Sequence, residues 1–228
     1  PTLAPGQWVW DIRQEPKGLG IATAAAAELP NRRLLLVGTD MAIGKMTAGL
    51  EIWRAAKEAG CRASFVATGQ IGIVVTGGGI PLDAIRVDYA CGAVEQEVMA
   101  VKASDLVIVE GQGSLAHPGS TSTLPLMRGA CPTHLILCHR AGMTTLDTVR
   151  TNSIRVPPLL DLIRLYEELA TACGSLPAAK TVGISLNTAH MSEEAAASAV
   201  EETKAQTGLL VTDPIRYGPK PLFDAVMA

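Results

Sequence analysis

Aromatic residues are scarce, with two Phe, three Trp and three Tyr in 228 residues. Any core must therefore be packed mainly with aliphatic side chains. Charge is also thin, 18% of residues against 48% hydrophobic, which excludes a self-repelling disordered chain. No Lys/Arg cluster extends beyond Arg32-Arg33, and the net charge is −3 with a pI of about 5.8. A nucleic-acid partner is not expected, because such domains carry a basic stripe. No apolar run approaches the length that crosses a bilayer and no signal peptide is evident, so the expectation is a cytoplasmic protein without a membrane partner. The five cysteines are odd in number, widely spaced and free of any CxxC pair. Such cysteines read as buried free thiols in a reducing compartment. No GxGxxG follows a strand-like run, which argues against nicotinamide-dinucleotide chemistry.

What is present centres on Arg32–Gly60. Leu34-Leu35-Leu36-Val37 is short and dense enough for a strand buried on both faces. A loop runs from Gly38 through Thr39 and Asp40 to Gly44, followed by Lys45-Met46-Thr47 and an apolar periodicity that ends near Gly60. Strand, glycine-bounded loop, lysine and helix describe a phosphate-binding loop, in which backbone N–H groups and the helix dipole converge on an anion. Gly38, Thr39, Asp40, Gly44, Lys45, Met46 and Thr47 are its candidate cofactor-binding residues. The spacing departs from the usual motif. Five residues separate the two glycines, Met46 stands where a magnesium-binding hydroxyl is usual, and Thr47 comes one place late.

Further runs alternate strand with helix: strands over 62–67, 105–110, 134–138, 180–187 and 209–211, and amphipathic helices over 157–173 and 192–207, with a last helix from about Pro219. The pattern predicts an α/β fold, a P-loop NTPase-like parallel sheet with helices on both faces. It occupies residues 32–228, after an N-terminal connector over 1–31. Within the connector Trp8–Ile12 alternates like an edge strand and Ile21–Leu29 is alanine-rich like a helix. Ile71–Gly79, with four glycines, reads as a mobile substrate loop.

Ligands of an open parallel sheet sit beyond the carboxyl ends of its strands. Thr68 and Gln70, Glu110 with Gln112, Arg140, and Asn187 all fall at such ends. Thr68, Gln70, Gln112 and Arg140 are assigned to substrate, the guanidinium suiting a carboxylate or phosphate. Glu110 has two readings. It is a base and ammonium anchor, or, with Thr47, it holds Mg²⁺ if the cofactor is ATP. His117 follows the same strand end and joins the catalytic candidates, as do Lys45, Asp83 and Asp88. Asp88 and Glu95 are seven residues apart on a helical periodicity, which suits a carboxylate pair as well as a solvated face.

The loop GTDMAIGK and the strand ending VEGQGS resemble dethiobiotin synthetase and its relatives. VGTDMAIGKMT, FVATGQIGI, Asp83/Asp88/Glu95, VEGQGSLAHPG, LCHRAG, GISLN and TGLLVTDPIRYG more closely resemble a family long catalogued as of unknown function and sometimes labelled an NAD-dependent epimerase. Its members include D-glutamate N-acetyltransferase. The resemblance implies a P-loop-like core and transfer of an acetyl group from acetyl-CoA to a D-amino acid such as D-glutamate. Met46 suits that chemistry, since a thioester needs no Mg²⁺. Asn187 resembles the asparagine that reads adenine in dethiobiotin synthetase-like enzymes, and both ATP and coenzyme A carry adenine. The alternatives are an ATP/Mg²⁺-dependent ligase or kinase of the dethiobiotin synthetase type and a non-enzymatic nucleotide-binding protein. The family normally carries a further N-terminal domain, so a fragment and a short form both suit a chain starting at Pro1. A homo-oligomer acting on a small-molecule substrate is expected.

Overall fold

The computed structural model describes residues 2–148 and 153–228. Its strands are β1 (Arg32–Gly38), β2 (Ala63–Val66), β3 (Leu106–Val109), β4 (His134–Arg140), β5 (Lys180–Asn187) and β6 (Val211–Thr212). The helices are α1 (Lys45–Glu58), α2 (Gln70–Thr76), α3 (Val87–Ala100), α4 (Thr123–Ala130), α5 (Leu159–Thr171), α6 (Glu193–Thr207) and α7 (Lys220–Met227). All strand pairs are parallel, in the order β2-β3-β1-β4-β5-β6.

Period-two alternation splits each central strand between two cores. Leu34 and Leu36 of β1, with Ile108 and Ile136, face Ile52 and Ala56 of α1 and Leu222 and Val226 of α7. Leu35 and Val37, with Val109 and Leu137, face Val94 and Val98 of α3, Met127 of α4, and Leu162 and Tyr166 of α5. Few aromatics are needed, because Leu, Ile, Val and Ala interdigitate on both faces.

This topology fixes where a ligand can sit. The chain leaving β1 travels through α1 to β2 on one flank, while the chain leaving β3 returns through α4 to β4 on the other. β1 and β3 are neighbours in the sheet, so their carboxyl ends open a crevice at a switch point. Among the described residues no helix is long and apolar enough to cross a membrane.

Three local expectations are corrected. Trp8–Ile12 forms no strand, and Trp8 is 76% exposed. Ile21–Leu29 is reduced to a 3-10 turn at Ala25–Glu28, held by Glu95, which accepts the Thr23 and Ala25 N–H groups at 2.9 and 2.7 Å. The helical periodicity that carries Asp88 and Glu95 forms α3, preceded by a 3-10 turn at Leu82–Ala84. Ile71–Gly79 is not a loop in its first half, because Gln70–Thr76 is helical. Gly72 answers a packing demand, since a Cβ there would collide with the Glu110 carboxylate lying against α2.

Candidate functional site

The residues after β1 do two separate jobs. Thr39 and Asp40, expected to bind cofactor, have fully buried side chains turned into the protein. Thr39 Oγ1 is 2.9 Å from Nδ1 of His139, a histidine whose pKa burial drives down to about 4. Asp40 accepts the Met41 N–H through Oδ1 and the Asp147 N–H through Oδ2, each at 2.7 Å. The Gly38 carbonyl accepts the Tyr166 hydroxyl at 2.7 Å. Gly38, Thr39 and Asp40 thus build the base of the loop.

The second half of the loop faces outward. Met41 to Thr47 line a cavity of about 580 Å³ together with Gly69, Gln70 and Ile71 from the β2 end and Glu110 to Gly113 from the β3 end. Ile43, Gly44 and Thr47 also line a second cavity of about 440 Å³, completed by Ser185, Asn187, Ala189 and Asp213–Arg216. The start of α1 therefore stands between the two. Gly44 precedes it with φ of 112°, a left-handed conformation suited to glycine, and no side chain caps the helix. First-turn N–H groups of a helix have no intrahelical acceptor, so they remain as donors for an anion.

Lys45 is buried, and its Nζ donates to the Asp40 carbonyl at 2.7 Å. Burial lowers its pKa, with the surrounding Cys138, Asp40 and Glu110 acting in the other direction. A bound anion would favour the charged form of this ammonium. Glu110 is also buried, and its Oε2 accepts the N–H groups of Thr68 and Gly69 at 2.9 and 3.0 Å. Burial pushes its carboxyl pKa up, while those amides, the Gln112 side chain and Lys45 pull it down. The close approach of β1, β3 and Lys45 requires glycine at 111, since a Cβ there would overlap the Leu36 carbonyl oxygen. Gly111→Ala is expected to destabilise the fold by about 3 kcal/mol, as overpacking against backbone does. Urea denaturation midpoints measure it, and an unchanged midpoint would contradict this packing.

The remaining candidates divide. Thr68 presents only a buried side chain, whose hydroxyl donates to the Glu110 carbonyl at 2.9 Å. Asn187 lines the second cavity while bridging the Ile43 carbonyl and the Ala189 N–H, each at 3.1 Å. Met46 and Thr47 both line the first cavity, and Thr47 is exposed. Arg140 braces the loop from behind, with Nη2 donating to the Ala42 carbonyl at 3.2 Å, and lines neither cavity.

His117 lies apart from both cavities. Its Nδ1 accepts the Gly119 N–H at 3.0 Å and Nε2 is 3.2 Å from the Asp147 carbonyl, so both ring nitrogens hold the loops in place. His117, a catalytic candidate from the sequence, is thus not brought to either cavity. Asp88 is exposed at the start of α3 and lines neither cavity, so it is not brought to the site either. Asp83 sits at the edge, where its Oδ2 accepts Gln70 Nε2 at 3.1 Å. Among the described residues no group of three or more His, Cys, Asp or Glu is placed to hold a metal ion.

Asp213–Arg216, read only as part of the phrase TGLLVTDPIRYG, and Asp147 were given no site role by the sequence. Arg216 holds the second cavity's wall by donating to the Thr188 and Met191 carbonyls and pairing with Glu193. Asp213–Arg216 follows the end of a strand, the same signal that marked Asn187, but Leu209–Val211 is short and was followed only as far as a terminal helix. Asp147 carries no local signal, because its partner Asp40 is 107 residues away.

A domain family described as a domain of unknown function, DUF1611_C P-loop domain, matches residues 20–223. A D-glutamate N-acetyltransferase of Tritonibacter scottomollicae is 35% identical over 226 residues, covering 99% of this chain and 66% of that protein. The chain therefore spans just under two thirds of that relative's length. The crystal structure of a DUF1611 family protein from Anabaena variabilis superposes with a TM-score of 0.95 at 54% identity, covering 99% of this chain and 65% of that one. Cobyrinic acid a,c-diamide synthase from Mycobacterium smegmatis, solved with ADP and magnesium, shares the fold alone. Its TM-score is 0.52 at 13% identity, covering 86% of this chain and 94% of that one.

Proposed function

Since the chain belongs to the DUF1611 P-loop family, we propose that it is an N-acetyltransferase carrying an acetyl group from acetyl-CoA to a D-amino acid such as D-glutamate. The observation that carries this reading is the pair of cavities meeting at Gly44–Thr47. A donor with a diphosphate between two dissimilar arms suits that arrangement. The diphosphate would lie on the uncapped start of α1 beside Lys45. The nucleoside would lie toward Asn187 and Asp213–Arg216, and the acyl arm toward Glu110 and Gln112. The relative named D-glutamate N-acetyltransferase supports the choice of acceptor.

In this reading Glu110 takes the proton. Its Oε2 is fixed by two backbone amides, and its raised pKa makes it a stronger base than an exposed carboxylate. In the proposed reaction Glu110 accepts a proton from the substrate ammonium. The amine nitrogen then bonds to the thioester carbonyl carbon as the carbon–sulfur bond breaks. The departing thiolate takes the surplus proton of that nitrogen, giving the N-acetyl amino acid and free coenzyme A, and Glu110 returns its proton to solvent. Gly111 and Gly113 N–H groups at the cavity wall suit the carbonyl oxygen as its charge grows.

The test is thiol release from acetyl-CoA with D-glutamate, followed with Mg²⁺ and with EDTA. The expected result is acceptor-dependent release that EDTA does not suppress. Release of ADP or phosphate from ATP and Mg²⁺, with no thiol released from acetyl-CoA, would overturn the reading. It would favour the ligase or kinase alternative, with Thr47 and Glu110 as candidate Mg²⁺ ligands.

A further inference from the structure

A cleft of about 330 Å³ adjoins the main cavity and shares Met41, Gln112 and Gly113 with it. Its other walls come from Leu82, Asp83, Ile85 and Val87 on one side and from Gly119 to Ser122 on the other. Gln112 connects the two spaces chemically, since its side chain also hydrogen-bonds Glu110. On the opposite wall Asp83 is the charged group, and it does not stand alone. Gln70 Nε2 reaches it from the main cavity at 3.1 Å, and Arg13 Nη2 reaches it from the N-terminal segment at 3.0 Å.

That segment is held against the domain at several points. Glu15 pairs with Arg86 at 2.9 Å, and the buried Glu95 accepts the Thr23 and Ala25 N–H groups. The residues before the first strand thus set Arg13 against Asp83, which lines this cleft beside the cavity that holds Glu110. A guanidinium has five N–H donors in a planar fork, and Asp83 is engaged through Nη2. The fork can therefore hold a second carboxylate alongside Asp83, whose own charge it offsets.

We propose that this cleft is the acceptor subsite, and that Arg13 determines specificity by holding the distal carboxylate of a dicarboxylic amino acid whose amine reaches Glu110. The inference rests on the acetyltransferase reading and adds to it the place of the acceptor and the residue that selects it. Asp83 acts as a positioning residue, orienting Arg13 and Gln70. Arg13 precedes residues 20–223, so the selecting group lies outside the part of the chain matched by the family.

The experiment compares D-glutamate with its neutral isostere D-glutamine in the wild type, Arg13→Gln and Arg13→Lys. Arg13→Gln should lower kcat/KM for D-glutamate by about tenfold, near 1.4 kcal/mol, mainly through KM. D-Glutamine turnover should change by less than about twofold, acetyl-CoA affinity should hold, and Arg13→Lys should recover part of the loss. Arg13 is 57% exposed on its side chain, so the fold is expected to survive, and a thermal melt checks that. Equal losses for both acceptors, or no loss for either, would overturn the inference and leave the acetyltransferase reading standing. A wild type that transfers acetyl to no acceptor would remove both.

Discussion

Lys45→Met should weaken acetyl-CoA binding by roughly ten- to a hundredfold, the loss of a charge-assisted hydrogen bond worth about 1.5–3 kcal/mol. The ligand-free protein, in contrast, should be no less stable than the wild type. The argument turns on what the ammonium costs before a ligand arrives. It is buried, with the Asp40 carbonyl at 2.7 Å, and burial lowers its pKa from the ordinary lysine value. Between the lowered folded value and the unfolded value, the unfolded chain binds more protons, so stability rises with pH across that window. Below that window the buried charge opposes folding. Methionine keeps the volume of the stem near Gly111 and removes the charge, so the melting temperature of the ligand-free variant should stay level or rise. Calorimetric titration with acetyl-CoA and a thermal melt read the two halves separately. Unchanged affinity would place the phosphates elsewhere, and a steep fall in melting temperature would make Lys45 a structural strut.

The same contrast between charge and role explains what a linear reading could and could not reach. Leu34–Val37 is apolar without alternation, and only a strand with helices on both faces accommodates that, so the central strand and the loop after it were legible. The adjacency of Lys45 and Glu110 followed from parallel topology, because residues at the carboxyl ends of neighbouring strands face one crevice. Direction within a loop is another matter. Thr39 and Asp40 are polar residues in a phosphate-loop pattern, yet their side chains face His139 and Asp147, contacts that exist only once β4 and the following loop are in place. The contacts of His117 were equally out of reach, as its two ring nitrogens meet Gly119 and Asp147. The glycines of 71–79 suggested a loop, whereas Gly72 is there because a buried carboxylate lies against that turn of α2.

That carboxylate carries the second large effect. Glu110→Gln should lower kcat by a factor of about 10² to 10⁴, the usual contribution of a positioned general base, with acetyl-CoA affinity little changed. Glutamine is the discriminating substitution because its carbonyl oxygen can still accept the Thr68 and Gly69 N–H groups, so the α2 start stays pinned. Folding supplies an independent check. Burial is the largest influence on Glu110, and its folded pKa lies above the unfolded value. The native state therefore binds more protons between those two values, and stability falls as pH rises through that window. Above that window the penalty is fully present, so the glutamine variant should melt no lower than the wild type there, and its advantage should vanish below the unfolded carboxyl value. In the wild type the acidic limb of the kcat/KM profile should lie above the ordinary glutamate range, and Glu110→Gln should abolish it. A variant that keeps both its rate and the acidic limb would remove Glu110 from proton transfer. A variant that loses activity together with tens of degrees of melting temperature would show that the carboxylate serves the fold instead.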